Sequence, residues 1–339
     1  MIRELLPRVV GGETLSEEQA FGVMQDVLAG AATPAQIAGF AVALRMRGET
    51  VEEVAGLARA MRQALQPFPE VPRPLLDTCG TGGDESGTFN VSTAVAFVAA
   101  AAGARVAKHG NRAVSSRAGS ADVLEALGAS VDQTPAEAAR TIKEVGVAFL
   151  FAPAYHWAFR NAAEPRRDLG IRTVFNVLGP ISNPAGAERQ LVGVYDDTWV
   201  PRLVQVLQRL GAERAWVVHS KDGLDELSVF APTTAARLED GKIIEESIDP
   251  RTYGLGHEPA DRGGVQGGDA AENARLLQAA LSTKQGAAHD LVVLNAGAAL
   301  TVGGLAPTLE GGIDRARELI DSGQALAKLQ QFLKVTRRA

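Results

Sequence analysis

Between an apolar, strand-like run ending at Asp77 and an apolar helical stretch opening near Ser92 lies Asp77-Thr78-Cys79-Gly80-Thr81-Gly82-Gly83-Asp84. Three glycines so closely spaced weaken any helix or strand, whereas a tight turn needs residues that tolerate left-handed backbone and close approach. A strand, a glycine loop and a helix start together make a site for anionic oxygens, because backbone N–H groups and the positive end of the helix converge there. The loop matches neither common fingerprint. It lacks the Gly-Lys-Ser/Thr ending of a P-loop, and Glu85 stands where Gly-x-Gly-x-x-Gly needs its last glycine. ATP and NAD readings weaken, and for this loop alone a ligand-free turn remains the alternative.

The rest of the chain is expected to supply two bodies, since 339 residues correspond to about two domains of roughly 150. In the first 65 residues, Ser16/Gln19, Thr33/Gln36 (with Pro34) and Thr50/Glu53 have capping-box spacing. They predict three short helices, with apolar residues such as Phe21, Met24 and Leu28 recurring at helical spacing. Pro67, Pro69, Pro72 and Pro74 stiffen a connector, which sets a small helical domain over 1–70 and an α/β domain over 71–339. In the latter, strand-like runs at Leu75–Asp77, Arg105–Lys108, Val147–Phe151, Leu191–Tyr195, Ala215–His219 and Leu291–Leu294 alternate with helical stretches. That alternation predicts a central, mostly parallel sheet. Asp240-Gly241 between two further runs reads as a hairpin turn, which would make the sheet mixed.

The net charge of −6 argues against a broad nucleic-acid footprint, yet allows a local basic patch around one phosphorylated ligand. Cys79, the single cysteine, closes no intrachain disulfide and fits a reducing compartment, so a cytoplasmic location is expected. The N-terminus shows no apolar signal core, and the run Ala94–Ala104 is much shorter than the roughly 18 residues a membrane span needs.

Four further groups carry chemistry. Asn90-Val91-Ser92-Thr93 brings an amide and two hydroxyls to the expected helix start, suited to capping or to sugar, phosphate and metal contacts. Lys108-His109-Gly110-Asn111-Arg112-Ala113-Val114-Ser115-Ser116 runs from a strand end into a loop dense in donors. Lys108 and Arg112 suit phosphate oxygens, and Asn111 or a carbonyl can accept a proton from an amine. His109 is either a base or a hydrogen-bonded structural residue. Asp225-Glu226 follows another strand and suits Mg²⁺, although an acidic pair alone is usually a solvated surface feature. Arg166 and Arg167 follow Pro165, and an arginine there suits a carboxylate clamp, with a solvated charge pair as the rival. His219, His257 and His289 show no metal-ligand spacing.

Taken together, GTGGD, NVST, KHGNRAVSS, GSADVLEALG, RRDLGIRTVFNVLGP and DGLDE, in this order across nearly the whole chain, closely resemble the anthranilate phosphoribosyltransferase family. The resemblance implies a nucleoside phosphorylase/phosphoribosyltransferase type of fold. It also implies transfer of phosphoribosyl from phosphoribosyl pyrophosphate (PRPP) to anthranilate in tryptophan biosynthesis. It implies PRPP contacts from Gly80, Gly83, Asp84, Thr88, Asn90, Val91, Ser92, Thr93, Lys108, His109, Gly110, Asn111, Arg112, Ala113, Val114, Ser115, Ser116 and Ser120. Gly80, Asn111 and Arg166 would contact anthranilate, and His109, His156 and Pro180 would shape its channel. Two magnesium ions are implied, one on Ser92 and Glu226 and one on Asp225 and Glu226. The implied homodimer forms through the helical domain, extended by helices near 165–190. After Ala154-Tyr155-His156 the family usually has Pro-Ala-Met, whereas this chain has Trp157-Ala158-Phe159.

A pyrimidine nucleoside phosphorylase is the enzymatic rival, opposed by Asp225-Glu226, since inorganic phosphate demands no metal. A non-catalytic nucleic-acid-binding relative would show a basic stripe and lost metal ligands, and the sequence shows neither.

Overall fold

The computed structural model describes residues 1–84, 86–113 and 117–337. It opens with four helices, α1 (Ile2–Val10), α2 (Glu17–Leu28), α3 (Pro34–Arg47) and α4 (Val51–Gln63). Each of the three expected capping boxes forms: Ser16, Thr33 and Thr50 accept from the backbone of Gln19, Gln36 and Glu53, whose side chains reach back. Helix α1 was not expected. Its first residue has no capping side chain and Pro7 interrupts it, so its only signal is Ile2, Leu5 and Val9 buried along one stripe.

Seven strands follow, β1 (Leu75–Gly80), β2 (Arg105–Gly110), β3 (Val147–Phe151), β4 (Arg189–Gly193), β5 (Arg214–Ser220), β6 (Thr233–Glu239) and β7 (Lys242–Ile248). They form one sheet in the order β3-β2-β1-β4-β5-β6-β7. The first five run parallel and the last two antiparallel. The expected hairpin closes β6 on β7 through Asp240 and Gly241, both at positive φ (50° and 73°), as a two-residue turn matched to strand twist requires.

Between and after the strands come α5 (Val91–Ala101), α6 (Ser120–Ala126), α7 (Pro135–Val145), α8 (Ala152–Tyr155), α9 (Ala163–Leu169), α10 (Phe175–Leu178) and α11 (Val200–Arg209). The chain ends in α12 (Ala270–Ala280), α13 (Ala287–Val302), α14 (Leu309–Asp321) and α15 (Gln324–Thr336). Leu291–Leu294 lies inside α13 and is not a strand. A short apolar run is common to a buried strand and a helix buried on all sides, and here the run continues in both directions at helical length.

Helices α5 and α12 to α15 pack on one face of the sheet. On the other face, Val192, Val194 and Val217 share a core with Met24, Phe40 and Leu57 of the bundle and with Val174, Phe175 and Leu178 around α10. The buried guanidinium of Arg62, donating to the carbonyls of Ile181 and Leu210 (2.8 and 3.0 Å), fastens α4 to this layer. No helix among the described residues is long and apolar enough to cross a membrane.

Candidate active site

Strand order reverses beside β1: the chain moves from β1 to β2 on one side and later returns to β4 on the other. A crevice at the carboxyl ends of the strands is expected at such a switch point. Gly80 ends β1, Gly193 ends β4, and Asp225 and Glu226 follow β5. Carboxylate oxygens of Asp84, Asp225 and Glu226 all lie within 4.8 Å of one another. The strand-end glycines permit this approach. A Cβ on Gly193 would fall 1.4 Å from the Asp225 carbonyl oxygen, and one on Gly80 would fall 2.5 Å from Asp225 Oδ2.

From α13, buried Asn295 accepts from the N–H of Leu227 and donates to its carbonyl (2.9 and 2.8 Å), fixing the loop that carries both acids. The sequence reading missed Asn295, whose signal is an amide inside the apolar run Leu291-Val292-Val293-Leu294-Asn295-Ala296.

Burial pushes the Asp225 and Glu226 carboxyls up, and repulsion among the three acids adds to this. Gly82 N–H donates to Asp225 Oδ2 (2.8 Å), while buried Glu226 Oε2 has no hydrogen-bond partner among the described residues. Lys108 is buried nearby, its Nζ donating to the Thr78 carbonyl and Ser92 Oγ (2.5 and 3.2 Å). Burial lowers its pKa, and Asp77, Glu226 and Asp225 oppose that. An all-oxygen donor set with one orphaned buried oxygen fits a hard divalent cation such as Mg²⁺.

Around this cluster lie the phosphate-type loops. Gly82 and Gly83 are left-handed (φ 62° and 72°), and Thr81 Oγ1 accepts from Tyr195 N–H (3.0 Å). Ser92 lies at the start of α5, whereas Val91 and Thr93 are fully buried in that helix. Asn111 is exposed after β2, and Ser120 Oγ donates to its carbonyl (3.3 Å). Gly110 and Gly119 permit this packing, since a Cβ on the former would lie 2.3 Å from Ser120 Oγ and on the latter 2.4 Å from Ala113 N. The guanidinium of Arg112 pairs with Asp122 and Glu125 of α6 (3.0 and 2.5 Å). Val114, Ser115 and Ser116 lie outside the described residues.

Beneath the β2 loop, Asp77 accepts from His109 N–H and from Asn183 Nδ2 (3.0 and 2.7 Å). Burial pushes its carboxyl up to about 6 against the pull of Lys108 and these bonds. The His109 and His156 rings lie 5.0 Å apart, and the Nε2 of each is buried without a partner among the described residues. Burial holds both below the usual imidazole range, His156 at about 4. A folded pKa below the unfolded one makes neutral His156 stabilising above pH 6.5, and that contribution fades as pH falls toward 4, by up to about 1.4 kcal/mol per pH unit. His156→Gln is therefore expected to melt below the parent at pH 7, with the gap narrowing toward pH 4, as thermal melts across that range would show.

Arg166, on α9, has no carboxylate partner among the described residues; its guanidinium lies 5.1 Å from the Phe159 ring centroid. Phe159 in turn meets Phe175 edge-on at 5.7 Å. Burial lowers the Arg166 pKa. Trp157, 52% exposed, lies on the surface against Arg160, and Arg167 pairs with its neighbour Asp168. Stacking of this kind is worth about 0.5–2 kcal/mol.

Residues 72–326 match the model of the glycosyl transferase family a/b domain, and residues 3–65 that family's helical bundle domain. The chain is 50% identical to the anthranilate phosphoribosyltransferase of Rubrobacter xylanophilus over 339 residues, covering 100% of this chain and 98% of that protein. Its fold matches the crystal structure of the Thermus thermophilus anthranilate phosphoribosyltransferase with a TM-score of 0.92 and 43% identity, over 98% and 99% of the two chains. The Saccharomyces cerevisiae enzyme in complex with PRPP and Mg matches with a TM-score of 0.88 and 27% identity, over 99% and 97%. Full-length identity of this order, over both domain models, shows that the chain belongs to the anthranilate phosphoribosyltransferase family.

Proposed function

We infer that the protein transfers the phosphoribosyl group of PRPP to the amine of anthranilate, releasing pyrophosphate and forming N-(5-phosphoribosyl)anthranilate. The observation that carries this reading is the convergence of the glycine loop, through Asp84, with Asp225 and Glu226 at one strand-end crevice.

In this reading the N–H groups of the glycine loop, with Thr88, Asn90 and Ser92, hold the diphosphate of PRPP, and the segment from Lys108 to Ser116 with Ser120 completes its cradle. Ser92, Asp225 and Glu226, with Asp84 beside them, would hold two Mg²⁺ ions. When bound, these neutralise the charge of the departing pyrophosphate. The aniline-type amine of anthranilate is uncharged near neutral pH, so the protein needs chiefly to position it behind the anomeric carbon. Attack from the opposite face inverts that carbon without a covalent enzyme intermediate. Arg166 takes the carboxylate through paired hydrogen bonds, and Asn111 or a loop carbonyl accepts the proton the amine sheds. In the same reading the imidazoles of His109 and His156, each with a buried Nε2 that has no partner among the described residues, line the anthranilate path.

The reading also takes the protein to be a cytoplasmic homodimer. Buried, unpaired Cys79 is consistent with a reducing compartment. Val10, Met46 and Ile171 are exposed apolar residues on or beside α1, α3 and α9, and α3 packs against both of the others, which suits cover by a second copy. The test of the activity is the decay of anthranilate fluorescence on mixing with PRPP. Decay that requires Mg²⁺ is expected, and no decay under any condition would favour a nucleoside phosphorylase or a non-catalytic binding protein.

A further inference from the structure

The loop from Val265 to Asp269 and the start of α12 carry no residue that the reading above uses, yet they brace it. Val265 carbonyl accepts from Phe89 N–H (3.1 Å), Gly267 N–H donates to the Gly87 carbonyl (2.8 Å), and Thr88 and Gln266 form an antiparallel bridge. Behind this contact lies Asn273, 3% exposed. Its Oδ1 accepts from Gly268 N–H (2.7 Å) and its Nδ2 donates to Asn90 Oδ1 (3.0 Å). Asn90 Nδ2 then donates to the Ala118 carbonyl (3.2 Å). Gly267 is part of the arrangement, since a Cβ there would lie 2.6 Å from Asn273 Oδ1.

These bonds form a directed relay. A backbone N–H can only donate, so Gly268 decides which end of the Asn273 amide faces it. That in turn decides which end of Asn90 faces Asn273 and which faces the Ala118 carbonyl. A flip at either amide would set donor against donor or oxygen against oxygen. One N–H and one lone pair of Asn90 then remain for a ligand, pointing where the relay sends them, and the loop at 86–90 is held in register with Ala118 just ahead of α6.

We propose that Asn273 is a positioning residue for the phosphoribosyl donor, acting through the Asn90 amide. The proposal rests on the PRPP reading of these loops. The test is calorimetric titration of the Mg²⁺-loaded protein with PRPP for the parent, Asn273→Ala, Asn90→Ala and the double variant, with steady-state KM values for both substrates. Asn273→Ala is expected to weaken PRPP binding roughly fivefold to tenfold, the effect of losing one or two buried hydrogen bonds, and to leave the anthranilate KM within about twofold. In the Asn90→Ala background the same change is expected to add less than about twofold, because its intermediary is already gone. Asn273→Asp keeps the Gly268 bond but places oxygen against oxygen at Asn90, and is expected to weaken PRPP more than alanine does. Effects of the two alanine variants that multiply would overturn the proposal while leaving the PRPP reading intact. So would loss of both substrates in step with a lowered Tm. A parent protein that binds no PRPP would overturn both.

Discussion

The double variant Asp225→Asn, Glu226→Gln is expected to lose at least about a hundredfold in turnover while melting at the parent's temperature or above it. Charge neutralisation by a bound divalent ion is worth several kcal/mol at a departing pyrophosphate, and these side chains supply two of the three clustered carboxylates. Stability should move the other way. Both carboxyls have folded pKa values above their unfolded ones, because burial and mutual repulsion disfavour their charge. Their ionised forms therefore oppose folding at neutral pH without metal, and removing the charge relieves that penalty. The amide oxygen introduced by Asp225→Asn would still accept from Gly82 N–H, so the loop contact survives. Without Mg²⁺ at pH 8, a Tm higher by roughly 2–4 °C is expected. The difference should shrink as the pH falls and vanish below about pH 3, where the parent carboxyls are protonated folded and unfolded alike. Calorimetry with and without Mg²⁺, beside initial rates, checks both halves. A variant that loses activity only because it unfolds would contradict the assignment.

Arg166→Ala is expected to raise the KM for anthranilate about a hundredfold and to change that for PRPP by less than about threefold. Two charge-assisted hydrogen bonds to a carboxylate in a desolvated site are together worth roughly 3 kcal/mol, and no residue described near Arg166 competes for the guanidinium except the Phe159 ring. Aniline, which lacks the carboxylate, supplies the control: its slow reaction should be indifferent to the substitution. Equal losses for anthranilate and aniline would assign Arg166 to packing.

The glycine loop, the three capping boxes, the β6–β7 turn and the Asp225-Glu226 pair were readable in the sequence because each is a local pattern with a local physical cause. Helix α1 and the helical state of Leu291–Leu294 were not, since a helix without a cap and an apolar run without periodicity take their conformation from what packs around them. At the site, residue types were legible but partners were not. Nothing in the sequence beside Arg112 announces that Asp122 and Glu125, a turn apart on α6, pair with its guanidinium. Lys108 reads as a cation at a strand end, but the sequence does not show that it lies inside the protein, held between Thr78 and Ser92. Asn273 and Asn295 escaped notice because a single asparagine in a helix announces nothing, and their partners are 183 and 68 residues away in sequence.

Gly193 leaves no room for even a methyl group in front of the Asp225 carbonyl. Among all single-codon replacements at that position, none should complement a host that depends on this protein for growth. Saturation libraries would then return one residue, at a strand end whose side chain would meet only backbone. Such intolerance marks where the backbone itself is part of the catalyst.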